Sequence, residues 1–179
     1  MPEKVTHEVL LGMGANLGDP AVQLARAVRL MSWVVRVDAV SSVYRSAPVG
    51  FADQPDFFNV VVRGRTAVEP GALLRVAQRA EAELGRERSF ADAPRTIDID
   101  LLACGDVVMR TEELTLPHPR LHLRGFVLHP LVEVAAEWVH PVLHRTAQGL
   151  LASAGELERV ERLGPLPGDG GEWAVPPAG

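Results

Sequence analysis

The sequence predicts an α+β protein, an antiparallel sheet flanked by helices, on three observations. Several segments alternate apolar and polar residues with the period of two that marks a half-buried strand. Two other stretches carry apolar residues at helical spacing and open on a proline in the first turn. Between them the elements run in the order strand, helix, strand, strand, helix, strand, an order that closes a sheet with both helices on one face.

His7 to Gly14 reads as the first strand, running out into Gly14-Ala15-Asn16-Leu17-Gly18. Asp19 caps the first helix and Pro20 stands at its first position, with Leu24, Ala27/Val28 and Met31 as the inner face. Val34 to Arg45 reads as one second strand, with Val35, Val37 and Ala39 on one side, and Ser46 to Pro55 as a loop. Phe57 to Arg65 is the third strand, with Phe58, Val60 and Val62 facing the core and Phe57, Asn59 and Val61 facing away. Glu69-Pro70 to Gly85 is the second helix, striped by Leu73, Val76/Ala77, Ala80 and Leu84, with Gln78 and Glu81 sharing another face. Ile97 to Cys104 is the fourth strand, and Gly105-Asp106 signals a hairpin into Val107-Val108-Met109. Short helices are expected near Arg124–Ala136 and Thr146–Ala154. Together these describe a ferredoxin-like α/β sandwich.

At 179 residues the chain has the length of one domain, placed at 1–163, with a Pro/Gly-rich tail over 164–179 expected to be loosely held. A net charge of −5 argues against a general nucleic-acid binder. The single cysteine, Cys104, lies in an apolar strand and forms no intrachain disulfide. With no signal peptide or long apolar span, a cytoplasmic protein without a membrane partner is expected.

The run Pro94-Arg95-Thr96-Ile97-Asp98-Ile99-Asp100-Leu101-Leu102 carries the most chemistry. Asp98 and Asp100 share one face of the strand, about 6.5–7 Å apart, while Ile97, Ile99 and Leu101 take the other. Two carboxylates so placed repel unless a cation lies between them, and Mg²⁺ prefers such oxygens and arrives with nucleotide phosphates. A solvent-facing polar edge is the plainer alternative. Upstream, the loop from Gly85 to Arg95 supplies Arg86, Arg88 and Arg95, suited to meeting phosphate charge. The chain has neither a GxxxxGK[ST] phosphate loop nor a GxGxxG turn, and Lys4 is its sole lysine. A nucleotide triphosphate would therefore be met by arginine and metal.

Two further clusters stand out. Phe57 and Asn59 offer a flat heterocycle an aromatic to stack on and an amide that both donates and accepts, although Asn59 could equally bond neighbouring backbone. Pro117-His118-Pro119 holds a histidine in extended backbone ahead of Arg124-Gly125-Phe126. His118 has no second His or Cys at zinc spacing, so a hydrogen bond to phosphate or ribose is expected.

Over roughly residues 8–145 the chain resembles the 6-hydroxymethyl-7,8-dihydropterin pyrophosphokinase family. The resemblance rests on Gly14–Gly18, Val43-Tyr44-Arg45-Ser46-Ala47-Pro48-Val49-Gly50, Gln54-Pro55-Asp56-Phe57-Phe58-Asn59, Pro94–Leu101, Leu116–Pro119 and Arg124-Gly125-Phe126, in consistent order. It implies transfer of diphosphate from ATP to the pterin hydroxymethyl group, with release of AMP, in folate biosynthesis. It further implies two Mg²⁺ ions on Asp98 and Asp100, with Asp98 also orienting or deprotonating the hydroxyl. Arg86 and Arg95 match arginines acting on the transferring phosphates, and Arg88 assists. Gln78, Glu81, Ile99, His118 and Arg124 match nucleotide-side positions. Phe57 and Phe126 match the aromatics that sandwich the pterin, Asn59 the amide that reads its edge, and Ser46, Ala47 and Val49 the loop that contacts it. The chain departs from better-known members in having no tryptophan in Ser89–Ala93, where Phe90 is the available substitute, and in having Pro119 instead of an aromatic after His118. Two alternatives stay open: a non-catalytic pterin- or nucleotide-binding relative, and an ATP-dependent transferase with a different acceptor.

Overall fold

A computed structural model describes residues 4–48, 50, 53–85 and 97–167. The elements are β1 (His7–Ala15), α1 (Pro20–Met31), β2 (Arg36–Val40), β3 (Ser42–Ser46), β4 (Phe57–Thr66), α2 (Pro70–Glu83), β5 (Asp98–Cys104), β6 (Met109–Arg110), β7 (Thr115–Leu116), α3 (Gly125–Ala135), α4 (Ala147–Ser153) and β8 (Val160–Pro165). One six-stranded sheet has the order β5-β1-β4-β3-β8, with β2 also on β4, and every pairing is antiparallel. This is the expected α+β sandwich.

Local chemistry accounts for the helices. The Asp19 carboxylate accepts from Val22 N at 3.3 Å and Pro20 opens α1, as the sequence leads one to expect. Pro70 opens α2, and Leu73, Ala77, Ala80 and Leu84 are buried along it. Thr146 caps α4 by accepting from Gly149 N at 3.0 Å. Period-two alternation then divides the sheet between two cores. Val9, Leu11, Met13, Val60, Val62, Ile97, Ile99 and Leu101 pack under α1 and α2. Leu10, Val61 and Leu102 face the other way, against α3 and α4.

Three expectations are corrected. The second strand is two, β2 and β3, because the chain crosses Ser41, whose hydroxyl accepts from Val61 N at 2.9 Å, and both pieces then pair with β4. The turn at Gly105-Asp106 forms, with Val107 N donating to Cys104 O, but no hairpin follows: β5 pairs with β1, and β6 pairs with β7. Finally, Gly164 to Leu166 are not the head of a loose tail. Pairing with β3 carries β8 through Pro165, and Leu166 is buried in the α1/α2 core. Composition hid this strand, since Gly164 and Pro165 interrupt its pattern.

Candidate active site

The sheet register builds the floor of a cavity of about 470 Å³ on the α3 side. Across the strands, Asp98 on β5 stands beside Gly14 on β1, and Gly14 beside Asn59 on β4. One step along, Asp100 stands beside Gly12, and Gly12 beside Val61. Strands lie about 4.8 Å apart, so the carboxylates and the amide are held roughly 10 Å from each other. The glycines between them leave the floor free of side chains. A Cβ on Gly14 would come within 2.9 Å of Asn59 Oδ1.

Asp98 and Asp100 are both half-buried and both line the cavity. Between them Ile99 turns its side chain into the opposite core, and its N–H donates to Glu81 Oε1 at 2.8 Å. Glu81, buried on α2, thus fixes the strand at the position between the two carboxylates. Neither Glu81, Ile99 nor the exposed Gln78 lines the cavity. Among the described residues no group of three His, Cys, Asp or Glu side chains could hold a metal by itself. Two carboxylates with the remaining positions left to phosphate and water match the way Mg²⁺ is bound with nucleotides.

On the wall beside β5, His118 N donates to Leu102 O at 2.8 Å, which ties the segment to the strand carrying the carboxylates. His118 Nδ1 accepts from Arg120 N at 3.1 Å, so the neutral ring carries its proton on Nε2. Burial, and then the Arg124 guanidinium, pull the His118 pKa down to about 4, against the opposing pull of Asp98. The imidazole is therefore a neutral Nε2–H donor at physiological pH. Arg120 and Arg124 line the same wall, and the Arg124 guanidinium lies 5.4 Å from the centre of the Phe126 ring.

The far wall is aromatic and amide. Phe57 at the start of β4 and Phe126 in the first turn of α3 both line the cavity, with Ser46 and Ala47 from the end of β3. Asn59 Nδ2 donates to Tyr44 O at 3.2 Å and to Ser46 Oγ at 3.0 Å. Its NH₂ is thus engaged by β3, and Oδ1 is the atom turned toward Gly14. Nearby, buried Asn16 donates to Gln54 Oε1 at 2.7 Å and to Pro55 O at 3.1 Å, pinning the chain that leads into Phe57.

The structure therefore gathers Asp98, Asp100, His118, Arg124, Ser46, Ala47, Phe57, Asn59 and Phe126 around one cavity. Arg86, Arg88, Arg95, Val49 and Phe90 lie outside the described residues. Sequence reasoning missed Arg120 and Glu158, which also line it. Arg120 carried a signal, being two residues beyond His118; Glu158 carried none, since it reaches the site only by the return of the chain toward β8.

Comparison with known proteins gives a consistent result. The model of the family described as 7,8-dihydro-6-hydroxymethylpterin-pyrophosphokinase matches residues 10–136. The 2-amino-4-hydroxy-6-hydroxymethyldihydropteridine pyrophosphokinase of Bacillus subtilis is 41% identical over 129 residues, 71% of this chain and 77% of the relative. The protein of the same name from Aquifex aeolicus is 36% identical over 137 residues, 76% of this chain and 86% of the relative. Among solved structures, wild-type HPPK-DHPS of Plasmodium falciparum superposes with a TM-score of 0.66 at 17% identity, over 85% of this chain and 45% of that one. This chain spans less than half of that protein, and the likeness speaks to the fold.

Proposed function

Because the chain belongs to the 7,8-dihydro-6-hydroxymethylpterin-pyrophosphokinase family, we propose that the cavity over β1, β4 and β5 is where its two substrates meet. The chain is a pyrophosphokinase of folate biosynthesis, with ATP as co-substrate. The observation that carries the placement is the register row Asp98, Gly14, Asn59, which sets an anionic metal-type site and an amide-and-aromatic site at opposite ends of one open floor.

In this reading the pterin lies between Phe57 and Phe126. Its N–H edge donates to Asn59 Oδ1, and Ser46, Ala47 and Val49 border it. The triphosphate extends toward β5. Asp98 and Asp100 would hold two Mg²⁺ ions, which neutralise phosphate charge and keep the attacking and leaving oxygens in line. The pterin hydroxyl oxygen attacks the β-phosphorus, a new O–P bond forms, and the bond from β-phosphorus to the bridging oxygen of AMP breaks. Asp98 accepts or orients the hydroxyl proton. Arg86 and Arg95, with Arg88, meet the charge on the transferring phosphates. Gln78, Glu81 and Ile99, which do not line the cavity, border the nucleotide where it extends past the cavity's edge, and the last two also brace β5. His118, neutral with Nε2–H outward, donates to phosphate or ribose, and Arg124 adds charge on the same wall. No covalent intermediate is needed, because positioning and electrostatics suffice for phosphoryl transfer.

The catalytic domain reaches beyond residue 163 to the end of β8. Among the described residues no helix is long and apolar enough to cross a membrane, and the free, buried Cys104 suits a cytoplasmic setting.

The test mixes the chain with ATP, Mg²⁺ and 6-hydroxymethyl-7,8-dihydropterin and separates the nucleotides by anion exchange. AMP formed one-for-one with a pterin diphosphate is expected, with no turnover when EDTA replaces Mg²⁺. ADP as the product, or AMP without consumption of the pterin, would overturn the reading.

A further inference from the structure

We infer that Glu158 is a positioning residue for the pterin side of this site, acting through the backbone of Phe126. The inference rests on the placement of the pterin against Phe126 given above. Glu158 follows α4 and precedes β8, far in sequence from every motif, yet it lines the cavity. Its Oε1 accepts from Phe126 N at 2.9 Å.

That bond matters because of where Phe126 sits. It occupies the first turn of α3, where backbone N–H groups have no partner within the helix, and Arg124 at the cap position supplies no side-chain bond. The other half of the residue is loosened as well. Pro130, one turn on, has no N–H and cannot close the helical bond to the Phe126 carbonyl. The regular i→i−4 pattern of the helix thus supplies a partner to neither the N–H nor the C=O of Phe126. A carboxylate brought from another element takes over the anchoring, and its charge suits the positive end of the helix. The fit is close: a Cβ on Gly125 would lie 2.9 Å from Glu158 O and 3.4 Å from its carboxylate, so the preceding position must be a glycine or the strap must shift.

Glu158 is itself held in place by β8. That strand pairs with β3 from Ser46↔Val160 to Ser42↔Pro165. An Arg45–Glu161 ion pair and a bond from Arg162 Nε to Ser42 Oγ at 3.1 Å reinforce it. Since Ser46 borders the cavity and bonds Asn59, one strand pairing connects the Asn59 wall to the Phe126 wall. The spacing between the two walls, and so the slot for a flat ring, is set through Glu158.

The experiment is a double-mutant cycle in the full chain with Phe126→Ala, Glu158→Ala and the pair, reading KM for the pterin and for ATP separately. Glu158→Ala is expected to raise the pterin KM on the order of tenfold, the size of losing a charge-assisted hydrogen bond, with little change in the ATP KM. In the Phe126→Ala background it should have almost no further effect, because the ring it positions is gone. Glu158→Gln keeps the acceptor oxygen and should restore the pterin KM, whereas Glu158→Asp falls one methylene short and should not. If Glu158→Ala does not fold, the Gln and Asp variants carry the same comparison. Equal rises in both KM values, additive effects in the cycle, or equal behaviour of Gln and Asp would overturn the role of Glu158. A Phe126→Ala enzyme with unchanged pterin KM would instead overturn the placement of the pterin on which the inference rests.

Discussion

Asp98 and Asp100 owe their usefulness to a single property of extended backbone, that alternate side chains share a face. Ile97, Ile99 and Leu101 are buried under α1 and α2, so the two carboxylates have no choice but the cavity. Replacing Asp100 by Ala should therefore leave the fold intact and cut Mg²⁺-dependent turnover at least about a hundredfold, the scale on which removing electrostatic stabilisation of a transition state acts. Steady-state rates across a Mg²⁺ titration, with a melting curve as control, check this; near-normal turnover would remove Asp100 from metal binding. At this scale the sequence was informative about identity and face. It was less so about partners. Asn59 was open between reading a ligand and bonding backbone, and it does the second with its NH₂ while Oδ1 stays on the cavity side. Which half of an amide is engaged depends on Tyr44 and Ser46, brought alongside by strand pairing rather than by sequence proximity.

At the scale of elements, caps and apolar stripes placed α1 and α2 within a residue or two. The segment before α4 shows what such patterns miss. His140 is 4% exposed, and its Nδ1 accepts from both Val142 N and Leu143 N, at 3.1 and 3.0 Å, so that a side chain closes the turn. Burial first, then His122 and His144, lower its pKa below the ordinary value. As pH falls below about 6.5 the unfolded chain takes up this proton before the folded one. The stabilisation is thus complete above that value and is lost progressively as pH drops toward the folded pKa. His118, lowered to about 4, acts in the same direction. His140→Asn keeps an acceptor near Nδ1 and removes the titration. Its urea midpoint should fall less than that of the parent between about pH 7.5 and about pH 5.5. Equal losses would mean that His140 does not stay neutral in the folded chain.

Across the whole molecule, one carboxylate joins three elements distant in sequence. Glu133 on α3 accepts from Ser42 N at 3.1 Å, Ser42 Oγ at 2.7 Å and Tyr44 OH at 2.8 Å, and Arg162 on β8 lies 3.5 Å away. Burial, then Glu133, hold the Tyr44 hydroxyl well above its ordinary pKa, so it remains a donor. With its side chain 5% exposed, Glu133→Ala would strand several buried donors and should cost about 2–4 kcal/mol by urea unfolding, against under about 1 kcal/mol for an exposed surface pair. A loss at the lower figure would show that the network is incidental. By itself the sequence determined the fold class, the helices, the faces of β4 and β5 and most of the side chains around the cavity. These follow from periodicity, caps and short motifs, all of which act over a few neighbouring residues. It did not determine the face of β2, where a register shift between Val37 and Ala39 sends those two side chains, expected on one side, into opposite cores. Only the tertiary structure decided the break at Ser41, the absence of a hairpin after Cys104, the strand β8, and the arrival of Glu158 beside Phe126. Each of those depends on which distant segment a backbone pairs with, and the free energy that selects a partner belongs to the assembled sheet and its two cores rather than to any stretch of chain.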